Sequence, residues 1–109
     1  MASEVLKVAL SKEITNTEKV LLTVTSGHTF TVLNVSICET AGNAETFDLY
    51  IDDNAGGTDY EIYSDQALAA NATFEHTTRL TMIATDVLYG RTADSADVDV
   101  VITYLDQTL

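Results

Sequence analysis

Apolar and polar residues alternate with a period of two along most of this chain, the spacing of strands with one buried and one solvated face. The first run is Val5-Leu6-Lys7-Val8-Ala9-Leu10, with Leu6, Val8 and Leu10 on one side. A polar break over residues 11–17 separates it from a second run at 20–25, which turns at Ser26-Gly27-His28. The third run, 29–39, begins with Phe30 and Val32 inward and then shifts phase to Leu33, Val35 and Ile37. That shift predicts a bulge near Val32 and Leu33. Beyond the turn Ala41-Gly42-Asn43, Phe47, Leu49 and Ile51 alternate against Asp48, Tyr50 and Asp52. The loop 53–58 leads to a short strand at 60–63. Phe74, His76, Thr78, Leu80 and Met82 then share one parity, which predicts one long strand or two with a kink. Residues 87–90 and a last run with Val98, Val100, Ile102 and Tyr104 on one side complete the series. Only residues 64–70 offer a turn or two of helix.

About eight strands joined mostly by short turns, without repeat or linker, predict an all-β fold. The expected architecture is a single antiparallel β-sandwich, jelly-roll-like, with residues 1–109 as one domain. Its core is expected to hold Phe30, Val35, Ile37, Phe47, Leu49, Leu80, Val100 and Ile102. Proline is absent, so edge strands need protection by charge, by bulges or by pairing with another subunit.

Composition narrows the function. A chain of 109 residues, 46% hydrophobic, buries a core without disulfides or metals. Five Lys and Arg stand against seventeen Asp and Glu, a net charge of −12, and such a surface repels nucleic-acid phosphates and anionic membranes. No apolar run approaches the roughly 20 residues of a membrane span. The start, Met1-Ala2-Ser3-Glu4, lacks the pattern of a signal peptide, so the chain is expected to fold where it is made. Cys38, the one cysteine, excludes an internal disulfide and reads as a buried, inert thiol.

The search for reactive chemistry finds little. Asp52, Asp53, Asp59 and Glu61 crowd a glycine-bearing loop and are the candidate calcium ligands, since calcium takes six to eight oxygens from flexible loops. The spacing departs from the helix-loop-helix calcium pattern, because Gly56 and Tyr63 stand where ligating side chains are required. The competing reading is an acidic hairpin loop. Asp94, Asp97 and Asp99 form a second acidic cluster, while His28, His76 and Cys38 provide no short ligand pair for zinc. No nucleophile elbow and no phosphate-cradling loop is present. No catalytic residue, cofactor or small-molecule substrate is assigned, and the chain reads as a non-enzyme. Phe30, Phe47 and Phe74 lie on the apolar parity. Tyr50 and Tyr60 flank the acidic loop, where they suit a carbohydrate-stacking surface, a protein contact or cover for a sheet edge.

The order of motifs is that of a known group. Val24-Thr25-Ser26-Gly27-His28-Thr29-Phe30-Thr31-Val32 leads to Leu33-Asn34-Val35-Ser36-Ile37-Cys38, a turn, and Ala44-Glu45-Thr46-Phe47-Asp48-Leu49-Tyr50-Ile51. Later, Gln66-Ala67-Leu68-Ala69-Ala70-Asn71-Ala72-Thr73-Phe74 precedes Leu80 and then Thr85-Asp86-Val87-Leu88-Tyr89. This resembles the small β-sandwich virion structural proteins of tailed bacteriophages over roughly residues 18–104. Thr85 departs from the pattern, standing where glycine is usual. The resemblance implies a particle component, assembled in the host cytoplasm and located in the virion. The leading expectation is a capsid decoration or cement protein on the head exterior; a tail, neck or fibre-associated protein is the alternative. A carbohydrate- or calcium-binding module, suggested by the Tyr50 to Glu61 region, stands as a second alternative. Partners are expected to be a capsid or other virion protein and further copies of the chain.

Residues 1–17 are read as either an N-terminal arm or an edge strand. Extended, the nine residues 2–10 span roughly 30 Å, enough to reach a neighbouring molecule. Leu6, Val8 and Leu10 are the candidate interface, suited to adding a strand to an exposed sheet edge. The competing expectation is that this run is the first strand of its own sandwich.

Overall fold

The computed structural model of the chain describes residues 3–54, 56–94 and 96–108. Nine strands follow one another: β1 (Ser3–Ile14), β2 (Lys19–Thr23), β3 (His28–Glu39), β4 (Glu45–Asp52), β5 (Asp59–Leu68), β6 (Thr73–His76), β7 (Leu80–Ile83), β8 (Val87–Thr92) and β9 (Val98–Thr108). Every pairing is antiparallel. The larger sheet runs β1-β9-β3-β6, with β7 also on β3, and the smaller runs β2-β8-β4-β5. Consecutive strands such as β1 and β2, β3 and β4, or β8 and β9 lie in different sheets, so the chain crosses repeatedly between the two sheets of a sandwich. Of the expected core residues, Phe30, Val35, Ile37, Phe47, Leu49, Val100 and Ile102 are buried, and Leu80 packs half-buried against them.

The phase shift in β3 has its physical counterpart. The register against β9 slips between Val32 and Asn34. The extra residue, Leu33, allows Val32 and Val35 both to point into the core despite their odd spacing. The same irregularity explains a ninth strand: β7 pairs with Thr29 to Val32, β6 pairs with Val35 to Cys38, and their interruption at residues 77–79 spans the bulge.

Three expectations are corrected. Residues 11–17 are not simply a polar break: β1 bulges between Ser11 and Ile14, with Glu13 in the left-handed region, and Ile14 is 2% exposed. Nor do residues 64–70 form a helical turn or a plain loop. The ladder with β4 carries β5 on to Leu68, because a seven-residue helix cannot repay its nucleation while β4 offers a full set of partners. Cys38 lies between the buried Ile37 and Glu39, so its side chain turns to the outer surface of the larger sheet and is half-buried rather than part of the core.

Candidate interaction surface

β1 is an edge strand of its own sheet. Ser3 to Ser11 pair in continuous register with β9 from Thr108 to Val100. Met1 and Ala2, the start of the predicted arm, lie outside the described residues. The register decides which side each residue takes. Val5, Lys7 and Ala9 stand opposite Asp106, Tyr104 and Ile102, which point inward; Leu6, Val8 and Leu10 stand opposite Leu105, Thr103 and Val101, which point outward. The apolar parity of β1 therefore faces away from the core. Leu6, Val8 and Leu10 are 66%, 57% and 72% exposed.

These side chains begin a broad surface. Row by row across the larger sheet, Leu6 leads through Leu105 to Thr31 and Thr81, Val8 through Thr103 to Asn34, and Leu10 through Val101 to Ser36. Glu4, Gln107, Thr29 and Ile83 form the row beyond Leu6. The middle of this face carries no formal charge, on a chain whose net charge is −12. Its charged positions, Glu4, Lys12, Glu75 and Asp99, are at its margins. Of the eight exposed large hydrophobic residues among the described residues, five (Leu6, Val8, Leu10, Ile83 and Val101) lie on it. Depletion of charge with retained apolar area is the composition of an interface centre. The sequence pattern did not single out Val101 and Ile83, yet Val101 carries a signal: with Leu105 it is an apolar residue on the parity that otherwise holds Asp99, Thr103 and Gln107.

Ionic contacts hold β1 in place. The Asp106 carboxylate, nearly buried, accepts from Lys7 Nζ at 2.8 Å and meets His28 Nδ1 at 2.6 Å. The bond from Lys7, then that from His28, holds the Asp106 carboxyl below its ordinary range, and Asp106 in turn raises the Lys7 ammonium. Ser3 bonds to Thr108, and Gln107 Nε2 donates to Glu4. Lys19 Nζ donates to the Lys12 carbonyl and so caps the far end of the free edge.

The opposite outer surface is acidic. Tyr50 pairs with Glu61 and Asp52 with Asp59, so Asp52, Asp59 and Glu61 share the exterior of the smaller sheet. Burial, then the nearby Asp48 carboxylate, raises Glu61. The carboxylates of this region serve the protein's own turns and strands: Asp52 accepts from the Gly56 N–H, and Asp48 from Asp65 N–H and Arg91. Asp53 closes the loop through its backbone, donating to Thr58 and accepting from Gly57. Ala55, within that loop, lies outside the described residues. Among the described residues no group of three His, Cys, Asp or Glu side chains is gathered for a metal, and this includes Asp94, Asp97 and Asp99.

Tyr50 is not the surface ring that its polar neighbours suggest. It is 2% exposed, donates its hydroxyl to Glu18 and stacks on Tyr89 at 5.5 Å. Arg91 sits 5.7 Å from its ring centre. Burial and the Glu18 carboxylate raise its ionisation far above the usual phenol range. Tyr60 pairs with Ile51 rather than with Tyr50, so the two tyrosines lie on opposite faces and share no stacking platform.

The remaining candidates serve structure. His76 is buried with Nδ1 at 2.8 Å from the Tyr63 hydroxyl, and His28 is committed to Asp106. Among the described residues neither imidazole is hydrogen-bonded to a serine or to Cys38. The buried Glu39 carboxylate accepts N–H bonds from Ala41, Gly42, Asn43 and Asn71, tying two turns together. Those bonds, Asn71's foremost, hold its carboxyl below the ordinary range.

The chain is thus an all-β sandwich with one acidic exterior and one exterior whose middle is uncharged and partly apolar. No protein-family model matches it, and no curated protein matches it. Solved structures that share its fold include the following two. One is a chain of the acidic stable capsid of Helicobacter pylori bacteriophage KHP30, 16% identical, with a TM-score of 0.58 over 100% of this chain and 94% of that one. The other belongs to the Bacillus endospore appendages, a family of disulfide-linked pili, 8% identical, with a TM-score of 0.55 over 99% of this chain and 89% of that one.

Proposed function

We propose that this chain is a non-enzymatic structural protein of a bacteriophage virion, and within it a decoration or cement protein on the head exterior. The observation that carries the reading is the uncharged middle of the outer face of the larger sheet, on a protein of net charge −12. A merely soluble acidic domain spreads its charge over all its surfaces; a face kept free of charge suits burial against another protein. The likeness in fold to a capsid chain along nearly the whole of both molecules supports the same reading. The acidic face of the smaller sheet suits exposure to solvent and away from packaged nucleic acid, which it repels. Leu6, Val8 and Leu10 belong to the contacting surface, and the partners are a capsid or other virion protein and further copies.

The test is to image purified particles carrying a tagged copy of the chain by electron microscopy. Tags distributed over the head support decoration. Tags confined to the neck, tail or fibres move the protein to those parts, and their absence from the particle refutes the proposal.

A further inference from the structure

Sheet edges present unpaired backbone groups, and proteins guard them with short strands, charge or bulges. Three of the four edges here are guarded. β2 has five residues and β6 four. β5 carries Asp59, Glu61 and Asp65, with register irregularities against β4. β1 is different: its bulge lies beyond Ser11, and the nine residues from Ser3 to Ser11 run in unbroken register, paired on one side only and exposed along most of their length. Its central charge, Lys7, is already neutralised by Asp106 of the same chain.

The sequence of β1 is also complementary to itself. Glu4, Leu6, Val8, Leu10 and Lys12 alternate along the strand, and the order reads acid, leucine, valine, leucine, base. Let a second β1 run antiparallel beside the first with Val8 facing Val8. Leu6 then faces Leu10 of the other copy, and Glu4 faces Lys12, each pair occurring twice. On the inward side Val5 faces Ser11, and Lys7 faces Ala9. Directly opposed residues in antiparallel strands bring their Cβ atoms to about 5 Å, so these are contacting pairs. Shifting the register by two in one direction sets Glu4 against Leu10 and leaves Lys12 beyond the end of the other strand; in the other direction it sets Lys12 against Leu6.

We propose that two copies of this chain pair β1 to β1 about a twofold axis through Val8, joining the two larger sheets into one continuous sheet. The occupant of the edge is a second copy because the charge pattern of β1 is its own complement. The lack of charge along the middle of the stripe allows two acidic molecules to meet there. This inference deepens the reading of β1 as an assembly strand and does not depend on the particle in which the chain serves.

The experiment is a measurement of mass by sedimentation equilibrium in salt-screened buffer, on the full chain and on charge variants. The expected mass is twice the 11.8 kDa of one chain. Glu4→Lys and Lys12→Glu each weaken association at least tenfold, and the double variant restores it. A general charge effect behaves differently: Glu4→Lys lowers the negative charge and then strengthens association. Each variant's melting curve at high dilution checks that the monomer is folded. In a Cys38→Ser background, Val8→Cys forms an intermolecular disulfide on mild oxidation, whereas Leu6→Cys does so poorly, because only position 8 meets itself. A monomeric mass at all concentrations overturns the inference, as do single charge variants that associate like the parent. A twofold dimer absent from phage particles upholds this inference and sinks the virion proposal. A monomer that nevertheless decorates heads does the reverse.

Discussion

Truncating one leucine at two places separates the core of this protein from its contact surface. Leu49 on β4 is 1% exposed, and Leu10 on β1 is 72% exposed. Leu49→Ala removes three carbons, about 2.4 kcal/mol of transfer energy at roughly 0.8 kcal/mol per methylene. The cavity left behind adds to this, because two hydrogen-bonded sheets cannot close over it. A void of about 10 Å³ already adjoins the site, lined by Ile14, Leu21, Ile37, Phe47 and Val100, so the new space enlarges an existing one. The cost is expected at about 3–4 kcal/mol, inside the usual 2–5 for such a change. With about 4 °C per kcal/mol for a domain of this size, the melting temperature falls by about 15 °C. Leu10→Ala, by contrast, stays within about 0.5 kcal/mol, the usual range for a surface change. The assay is thermal unfolding followed by far-UV circular dichroism at the lowest workable concentration, where association does not contribute. Comparable losses at the two sites refute the reasoning, since the outward face of β1 is then part of the folded core.

Other expectations concern packing, charge and pH. Gly90 lies under Leu21, and an added Cβ meets Leu21 Cδ1 at 3.0 Å. Gly90→Ala is therefore expected to cost about 1–3 kcal/mol of overpacking, read from urea unfolding, and to be relieved by Leu21→Ala. Like charges on a −12 molecule repel, so adding sodium chloride raises the melting temperature until the Debye length falls to about 8 Å. A further rise specific to calcium, against a magnesium control of equal ionic strength, assigns Asp52, Asp53, Asp59 and Glu61 a metal; equal responses remove that role. Asp106 and Glu39 have carboxyls held low in the folded state, so their contribution is complete above the ordinary carboxylate pKa of about 4 and is lost as pH falls below it. Asp106→Asn should flatten the acid limb of a plot of melting temperature against pH, and an unchanged limb counts against the Lys7-Asp106-His28 contact as its source.

Periodicity alone determines much of this molecule. An alternation of two, broken by turn residues, is enough to call for strands, a sandwich and most of its core, because a strand has only two faces and one of them must be dry. Even the β3 bulge is legible, since an odd step from Val32 to Val35 between inward residues has no other explanation in a strand. Alternation cannot say which face is dry. In β3, β4 and β9 the apolar parity points inward; in β1 it points outward, and only the register against Asp106, Tyr104 and Ile102 decides this. Partners distant in sequence decide the rest. Tyr50 is covered by Glu18, Tyr89 and Arg91, three residues that local pattern cannot bring to it. Residues 64–68 become strand because β4 supplies hydrogen bonds that an isolated helical turn cannot match. The complementarity of Glu4, Leu6, Val8, Leu10 and Lys12 is written in the chain, but it acquires meaning only when the fold leaves that strand at an edge, its outward side unpartnered.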